Sequence, residues 1–278
     1  MERRKLYGEY LKFIKSSQRF YRVFIRSLAT TYGVAELEKV AQKLNHEGEC
    51  LNIIVAWVIS NDRLGSTASG LRPALPATQK HQLLLSCYRA LIQLGDLSRY
   101  RETELSGDER DWAPAIGYYD LARVMYPSSG ISHNQLAVIA LADANLFRAT
   151  YHLYRALSAD EPHPQAETNL KRAFRNISNA WMKGDLLSNG APPGDASSMV
   201  GWYLRLLSVC YKGQEFAGHA ELENEVMSQL MIDLKQRSLD STLHKLVVIN
   251  IAAGHAAQER FQGEGVFQFY CRVILWTC

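Results

Sequence analysis

The sequence lacks the motifs that mark the common nucleotide-dependent and metal-dependent enzymes. It has no GxxxxGK[ST] phosphate-binding loop, no HExxH zinc helix and no GxSxG nucleophile turn. Its one GxG, Gly263–Gly265, follows no strand-like run, and its histidines and cysteines do not cluster at zinc-ligand spacing. We therefore expect a protein with no cofactor, no metal site and no catalytic residues.

Cysteine pairs and long apolar runs are also absent. The five cysteines are far apart and none forms a CxxC pair, which favours reduced thiols in an intracellular protein over a disulfide framework. The best candidate for a membrane span, Leu51–Ser60, is far shorter than the roughly 20 residues required, and we interpret it as a buried segment. No apolar stretch follows the N-terminal charges, so no secretory signal is predicted.

Charge of one sign is not in excess. The chain has 31 basic and 28 acidic residues, for a net charge of +3. This balance argues against a polybasic nucleic-acid binder but permits local patches.

Helical periodicity is what the sequence does contain. Apolar residues recur at spacings of three and four, and strand signals are scarce. Four helices are predicted between Gln79 and Ser158, in two helix-turn-helix pairs with small residues at related positions. Pro127 and Pro162 follow the pairs 35 residues apart, close to the ~34-residue period of tetratricopeptide repeats. We therefore predict an all-α fold built from antiparallel helix pairs.

The first predicted helix carries two further patterns. An aromatic-rich face has the spacing of a core face rather than of a base-stacking platform, and it contains Tyr10, Phe13, Ser17, Phe20, Phe24 and Leu28. Five cations recur at steps of three and four along a stripe: Lys12, Lys15, Arg19, Arg22 and Arg26. A solvated helix face is the favoured interpretation of the stripe. An anion-binding surface for RNA or a phosphopeptide is the alternative.

A resemblance to a known family extends from Ser86 to Leu170. The segment contains, in one order and spacing, Cys87, Leu94-Gly95-Asp96, Arg99-Tyr100-Arg101, Tyr118-Tyr119, Pro127 with Gly130, Asn134-Gln135-Leu136-Ala137 and Tyr154-Arg155-Ala156-Leu157. It resembles the EST/SMG family, the telomerase-associated EST-type proteins and the SMG-type adaptors of nonsense-mediated mRNA decay. A weaker match covers Phe13–Val34.

The resemblance implies a 14-3-3-like tetratricopeptide domain that continues into helical hairpins. We expect the first domain over residues 1–183 and the helical extension over residues 184–278. The resemblance also implies a concave groove that binds phosphoserine peptides, with Arg99 and Tyr100 on the phosphate and Asn134 on the peptide main chain. A second phosphate-binding lysine of the family lies on a helix before the Phe13 segment, and no residue here can be assigned to it.

The chemistry of these side chains agrees with the implied site. Arg99 offers a planar fork of donors and Tyr100 offers a hydroxyl, both suited to phosphate oxygens. The bland alternative is that Arg99 is a surface residue paired with Asp96 or Glu102.

Two functions follow from the resemblance. The first is a non-enzymatic adaptor that recognises a phosphorylated up-frameshift helicase. The second is a telomerase-associated subunit that binds telomerase RNA or another single-stranded nucleic acid. A purely structural helical scaffold is a third interpretation. The family implies a location in the nucleus and cytoplasm and no membrane partner.

Overall fold

A computed structural model describes residues 2–44, 75–105, 110–187, 198–212, 218–236 and 240–260 of the 278-residue chain. Within these ranges the secondary structure consists of helices, with no β-strand. In chain order the helices are α1 Glu2–Tyr32, α2 Ala35–Lys43, α3 Ala77–Leu105, α4 Ala113–Met125, α5 Ile131–Ala142, α6 Leu146–Leu157, α7 Ala166–Lys183, α8 Ser198–Cys210, α9 His219–Gln236 and α10 Asp240–Arg260. The all-α prediction is confirmed. The predicted buried segment Leu51–Ser60 and the Gly263–Gly265 motif lie outside the described residues.

The chain forms two compact units, residues 1–132 and 133–278. In the first unit α3 packs against α1, α2 and α4, and α2 also packs against α1. In the second unit α6 packs against α7, α8 and α10, while α8 also packs against α7 and α9. The domain boundary expected between residues 183 and 184 stays a prediction. The helices on either side of it, α7 and α8, contribute side chains to one core.

Most helix ends lie within a few residues of their predicted positions, and local chemistry explains several of them. The Asn145 side chain accepts a hydrogen bond from the Arg148 amide at 2.9 Å, so the predicted cap of α6 is confirmed. Gly33, with φ of 60°, ends α1 in the left-handed conformation that glycine adopts without strain. Helix α4 begins at Ala113 rather than at Asp111, whose carboxylate accepts from the Ala113 amide at 3.0 Å.

Aromatic rings join the helices of the second unit. Phe147 of α6 meets Tyr203 of α8 edge to face, with 6.3 Å between ring centroids. Tyr154 of α6 meets Phe174 of α7 in the same manner at 6.5 Å. The Tyr203 hydroxyl donates a buried hydrogen bond of 2.7 Å to Oδ1 of Asn250 on α10. Four helices are therefore tied together by large side chains that adopt few conformations.

The core face of α1 differs from the predicted one. Phe13 and Phe20 are 61% and 62% exposed, so the assignment of their row to the core is wrong. The buried face consists of Ile14, Gln18, Ile25 and Ala29. Gln18 hides this face in the sequence because it is polar, yet its amide Nε2 donates to Oγ of Ser98 on α3 at 3.0 Å. A buried amide that has such a partner is compatible with a core position.

Two of the five cysteines, Cys87 and Cys210, lie in the described residues, and both are buried and free. Burial raises the pKa of the Cys87 thiol to about 12 and raises the pKa of Cys210 as well. Both therefore stay protonated at neutral pH, as structural rather than reactive thiols do. No helix in the described part of the chain combines the length and apolar character needed to cross a bilayer.

Candidate functional site

Arg99 lies near the end of α3, where two neighbours hold its guanidinium. Its Nε donates to the hydroxyl of Tyr119 on α4 at 3.4 Å, and its Nη2 lies 3.5 Å from Oδ1 of Asp96. The Tyr119 hydroxyl donates to the same Asp96 oxygen at 2.7 Å. The Arg99 side chain is only 14% exposed. The cation is therefore fixed in position rather than moving freely in solvent.

The charges of this cluster do not change near neutral pH. Burial alone would lower the pKa of Arg99, but the hydrogen bond with Tyr119 and the negative charge of Asp96 raise it. Burial raises the pKa of Tyr119, and the Asp96 carboxylate adds to that effect. Arg99 is thus a permanent cation and Tyr119 a neutral donor. Asp96 is one of the two carboxylates expected as alternative partners of Arg99, while Glu102 pairs with Arg101 at 2.9 Å.

Arg99 keeps donors available despite these contacts. A guanidinium carries five N–H groups. Among the described residues only its Nε–H has a hydrogen-bond acceptor, although one Nη lies near Asp96. The guanidinium carbon also lies 4.4 Å from the ring centroid of Tyr100, a cation–π contact. Tyr100 is 41% exposed. The structure thus places a fixed cation beside an exposed tyrosine.

Asn134, the third residue of the predicted site, lies on α5 in the second unit. Its side chain is 3% exposed, and its Oδ1 accepts from Nδ2 of Asn169 on α7 at 2.9 Å. This bond fixes the orientation of the Asn134 amide. Arg99 and Tyr100 belong to the first unit, so their joint action with Asn134 stays a prediction.

The cation stripe of α1 is divided between internal contacts and solvent. Arg22 donates from Nε and Nη2 to the hydroxyl of Tyr118 at 3.1 and 2.8 Å. Arg26 donates to the carbonyl oxygen of Leu44 at 3.3 Å. The three remaining cations, Lys12, Lys15 and Arg19, are exposed. Two members therefore also stabilise the first unit, and an anion-binding role for the stripe stays a prediction.

Sequence reasoning did not identify Tyr119 as the residue that positions Arg99, and assigned it to core packing. Asp96 could be found locally, because it lies one helical turn before Arg99. Tyr119 is on the next helix, and its approach depends on Gly95. A Cβ at residue 95 would lie 2.6 Å from Cδ1 and 2.8 Å from Cζ of Tyr119. The glycine of the Leu94-Gly95-Asp96 motif is the one sequence signal of this close approach.

Two family models match the chain. The model described as "Telomerase activating protein Est1" matches residues 1–105, and the model described as "Est1 DNA/RNA binding domain" matches residues 115–277. The second match alone covers more than half of the chain. The chain belongs to the EST/SMG family. The family expected from the Ser86–Leu170 motifs is therefore confirmed.

Members of the EST/SMG family from plants and fungi are similar over parts of the chain. The "Nonsense-mediated mRNA decay factor SMG7" of Arabidopsis thaliana is 43% identical over 102 residues, which are 36% of this chain and 10% of that protein. The "Telomere elongation protein est1" of Schizosaccharomyces pombe is 29% identical over 171 residues, 61% of this chain and 33% of that protein. The aligned region thus spans at most a third of these relatives.

Solved structures of the EST/SMG family share the fold. A chain of the crystal structure of Est1 and Cdc13 superposes with a TM-score of 0.60 at 16% identity, covering 96% of this chain and 58% of that chain. A chain of the C. elegans SMG5–SMG7 complex gives a TM-score of 0.50 at 17% identity, covering 92% and 60%. At these identities the likeness establishes the fold alone. It confirms the predicted 14-3-3-like helical architecture.

Proposed function

We propose that this chain is a non-enzymatic adaptor that binds phosphoserine peptides through Arg99 and Tyr100. The observation that supports this function is the fixed Arg99 guanidinium, whose Nη–H groups donate no hydrogen bond to a described residue. A phosphate carries roughly −1.5 to −2 charges and three acceptor oxygens, which suit the guanidinium fork. Because Tyr119 and Asp96 already restrict the side chain, little side-chain freedom remains to be lost on binding.

The proposed ligand is a phosphorylated up-frameshift-type helicase of mRNA decay, met in the nucleus and cytoplasm. The support is the similarity to proteins named nonsense-mediated mRNA decay factors, SMG7 and SMG5. In this proposal Asn134 holds the peptide main chain through its Nδ2, since its Oδ1 accepts from Asn169. Family members are adaptor-type proteins, in line with a binding rather than a catalytic role.

Replacing Arg99 with glutamate is expected to lower phosphopeptide affinity by at least about tenfold. The change removes a charge-assisted hydrogen bond, which contributes roughly 1.5–3 kcal/mol, and adds repulsion. Isothermal titration calorimetry with a Ser-Gln peptide, phosphorylated and unphosphorylated, measures the effect. We expect a weak starting affinity, because the family's second cation is not assigned.

Arg89→Glu is the matched control for this experiment. Arg89 is exposed on the same helix and undergoes the same change of charge, ten residues from Arg99. The control is expected to keep the preference for the phosphorylated peptide. Equal wild-type affinities for the two peptides would show that Arg99 is only a structural helix-end cation.

A second candidate function is single-stranded nucleic-acid binding by a telomerase-associated subunit. The match to the Est1 DNA/RNA binding domain model over residues 115–277 favours it. For single strands the logarithm of the affinity falls with the logarithm of salt concentration, by about 0.7 for each phosphate contact. Titrating single-stranded RNA at several salt concentrations is expected to give such a slope. Absence of binding at the lowest salt concentration would exclude this function for the chain.

A further inference from the structure

Helix α1 leaves an apolar row exposed along its outer side. Leu6, Phe13 and Phe20 follow one another at seven-residue steps and are 71%, 61% and 62% exposed. Tyr10, Ser17 and Phe24 interleave with them, so the row occupies the a and d positions of three successive heptads. We call these six residues the α1 seam. The helix has 31 residues and is therefore about 46 Å long.

The α1 seam lies on a different side of the helix from the buried face. In the same heptad register, Gln18 and Ile25 occupy e positions and are 6% and 0% exposed. Gln18 hydrogen-bonds to Ser98 of α3, so the first unit covers this flank of the seam. A binding partner therefore has access to the seam itself and to its other flank, the g positions.

The g positions of α1 carry cations. They are Lys12, Arg19 and Arg26, which come from the stripe described above. Lys12 pairs with Glu9 at 3.3 Å, but both side chains are more than 60% exposed, so the pair is weak. Arg19 is exposed and forms no ion pair with any residue that the structure describes. The accessible flank of the seam is thus positively charged over two turns and more.

We propose that the α1 seam docks an amphipathic helix of another protein, with apolar a and d residues on the seam and acidic residues facing Lys12, Arg19 and Arg26. Heptad pairing of this kind buries the exposed rings, and opposite charges at the flanking positions select the partner and its orientation. Contiguous exposed apolar surface of this type marks interaction sites in soluble proteins.

A second copy of the chain fits this surface poorly. In an antiparallel pair the g positions of one helix face the g positions of the other, so the cations of the two copies would repel each other. In a parallel pair the g positions face the e positions of the partner, and in α1 Gln18 and Ile25 are covered by the first unit. An acidic helix from a different protein meets neither obstacle.

The proposal is tested with two synthetic four-heptad helices that have leucine at a and d. One carries glutamate at the flanking e and g positions and the other carries lysine. Fluorescence anisotropy with the whole chain is expected to show that the glutamate peptide binds at least about tenfold more tightly. The double variant Phe13→Ser/Phe20→Ser is expected to weaken that binding about tenfold or more, as loss of aromatic anchors does. Because both rings are exposed, its melting temperature should match that of the wild type.

A charge-reversal pair isolates the role of the flank. Arg19→Glu is expected to weaken binding of the glutamate peptide and to strengthen binding of the lysine peptide. Lys15→Glu, four residues earlier at an exposed c position away from the seam, should change both affinities much less. Arg99→Glu should leave peptide-helix binding unaltered, so this test can fail independently of the phosphopeptide proposal.

Three results would overturn the proposal. The first is binding of the glutamate peptide that the Phe13→Ser/Phe20→Ser variant does not change. The second is dimerisation of the wild type, seen in sedimentation velocity, that the same variant abolishes, because a second copy would then occupy the seam. The third is displacement of the glutamate peptide by single-stranded RNA, which would assign the surface to nucleic acid.

Discussion

Replacing Tyr203 with alanine is expected to lower the free energy of unfolding by about 3–5 kcal/mol, the range for large aromatic side chains in cores. Tyr203 is 1% exposed and lies between α6 and α10, in ring contact with Phe147 and hydrogen-bonded to Asn250. The change leaves a cavity where these helices meet and removes the donor to Asn250. Urea denaturation followed by circular dichroism measures the loss.

The variant Tyr203→Phe separates packing from hydrogen bonding. It keeps the ring and removes only the hydroxyl, so a smaller loss of about 1–3 kcal/mol is expected. Burial raises the pKa of Tyr203, so the hydroxyl remains a donor at every pH used for such experiments. Met231→Ala, at a side chain that is 55% exposed in the same unit, should change stability by less than about 0.5 kcal/mol. Equal losses for the alanine and phenylalanine variants would contradict the packing role of the ring.

Gly95→Ala is expected to destabilise the first unit by about 1–3 kcal/mol through overpacking. A methyl group there would overlap the ring of Tyr119, which is fully buried and tied to Asp96 by its hydroxyl. Alanine is better than glycine in a helix interior by about 1 kcal/mol. This gain is smaller than the cost of a clash with a ring that has no free space. Displacing Tyr119 should also disturb Arg99 and weaken any phosphate preference.

Gly117→Ala is the matched control on α4. A Cβ at residue 117 meets no atom within 4 Å. The same substitution is therefore expected to stabilise the protein there by roughly 0.5–1 kcal/mol, through helix propensity alone. Opposite signs for the two glycines, measured by thermal denaturation, would establish the contact between Gly95 and Tyr119. An increase in stability for Gly95→Ala would rule it out.

Part of the candidate site could be read from the sequence. Arg99 and Tyr100 stood out through the motif, and Asp96 lies on the same helix one turn before Arg99. The role of Tyr119 could not be read in the same way. It is twenty residues from Arg99 on another helix, and its position depends on how closely α3 and α4 approach at Gly95.

The sequence by itself determined the helices and the family. Spacings of three and four residues predict helices wherever they persist, because helical periodicity is a local property of the chain. The cap at Asn145 is local for the same reason: its side chain reaches an amide only three residues away. The motif order from Ser86 to Leu170 identified the family without reference to packing.

Only the tertiary structure decided which face of α1 is buried. Its aromatic row and its Ile14–Ala29 face are both helical stripes, and the aromatic row is the more apolar because the other contains Gln18. The choice depends on Ser98, which accepts a hydrogen bond from Gln18 across 80 residues of sequence. That bond makes burial of a polar side chain acceptable and leaves Phe13 and Phe20 in solvent. Periodicity reveals that a face exists, but only long-range contacts decide whether the protein covers it.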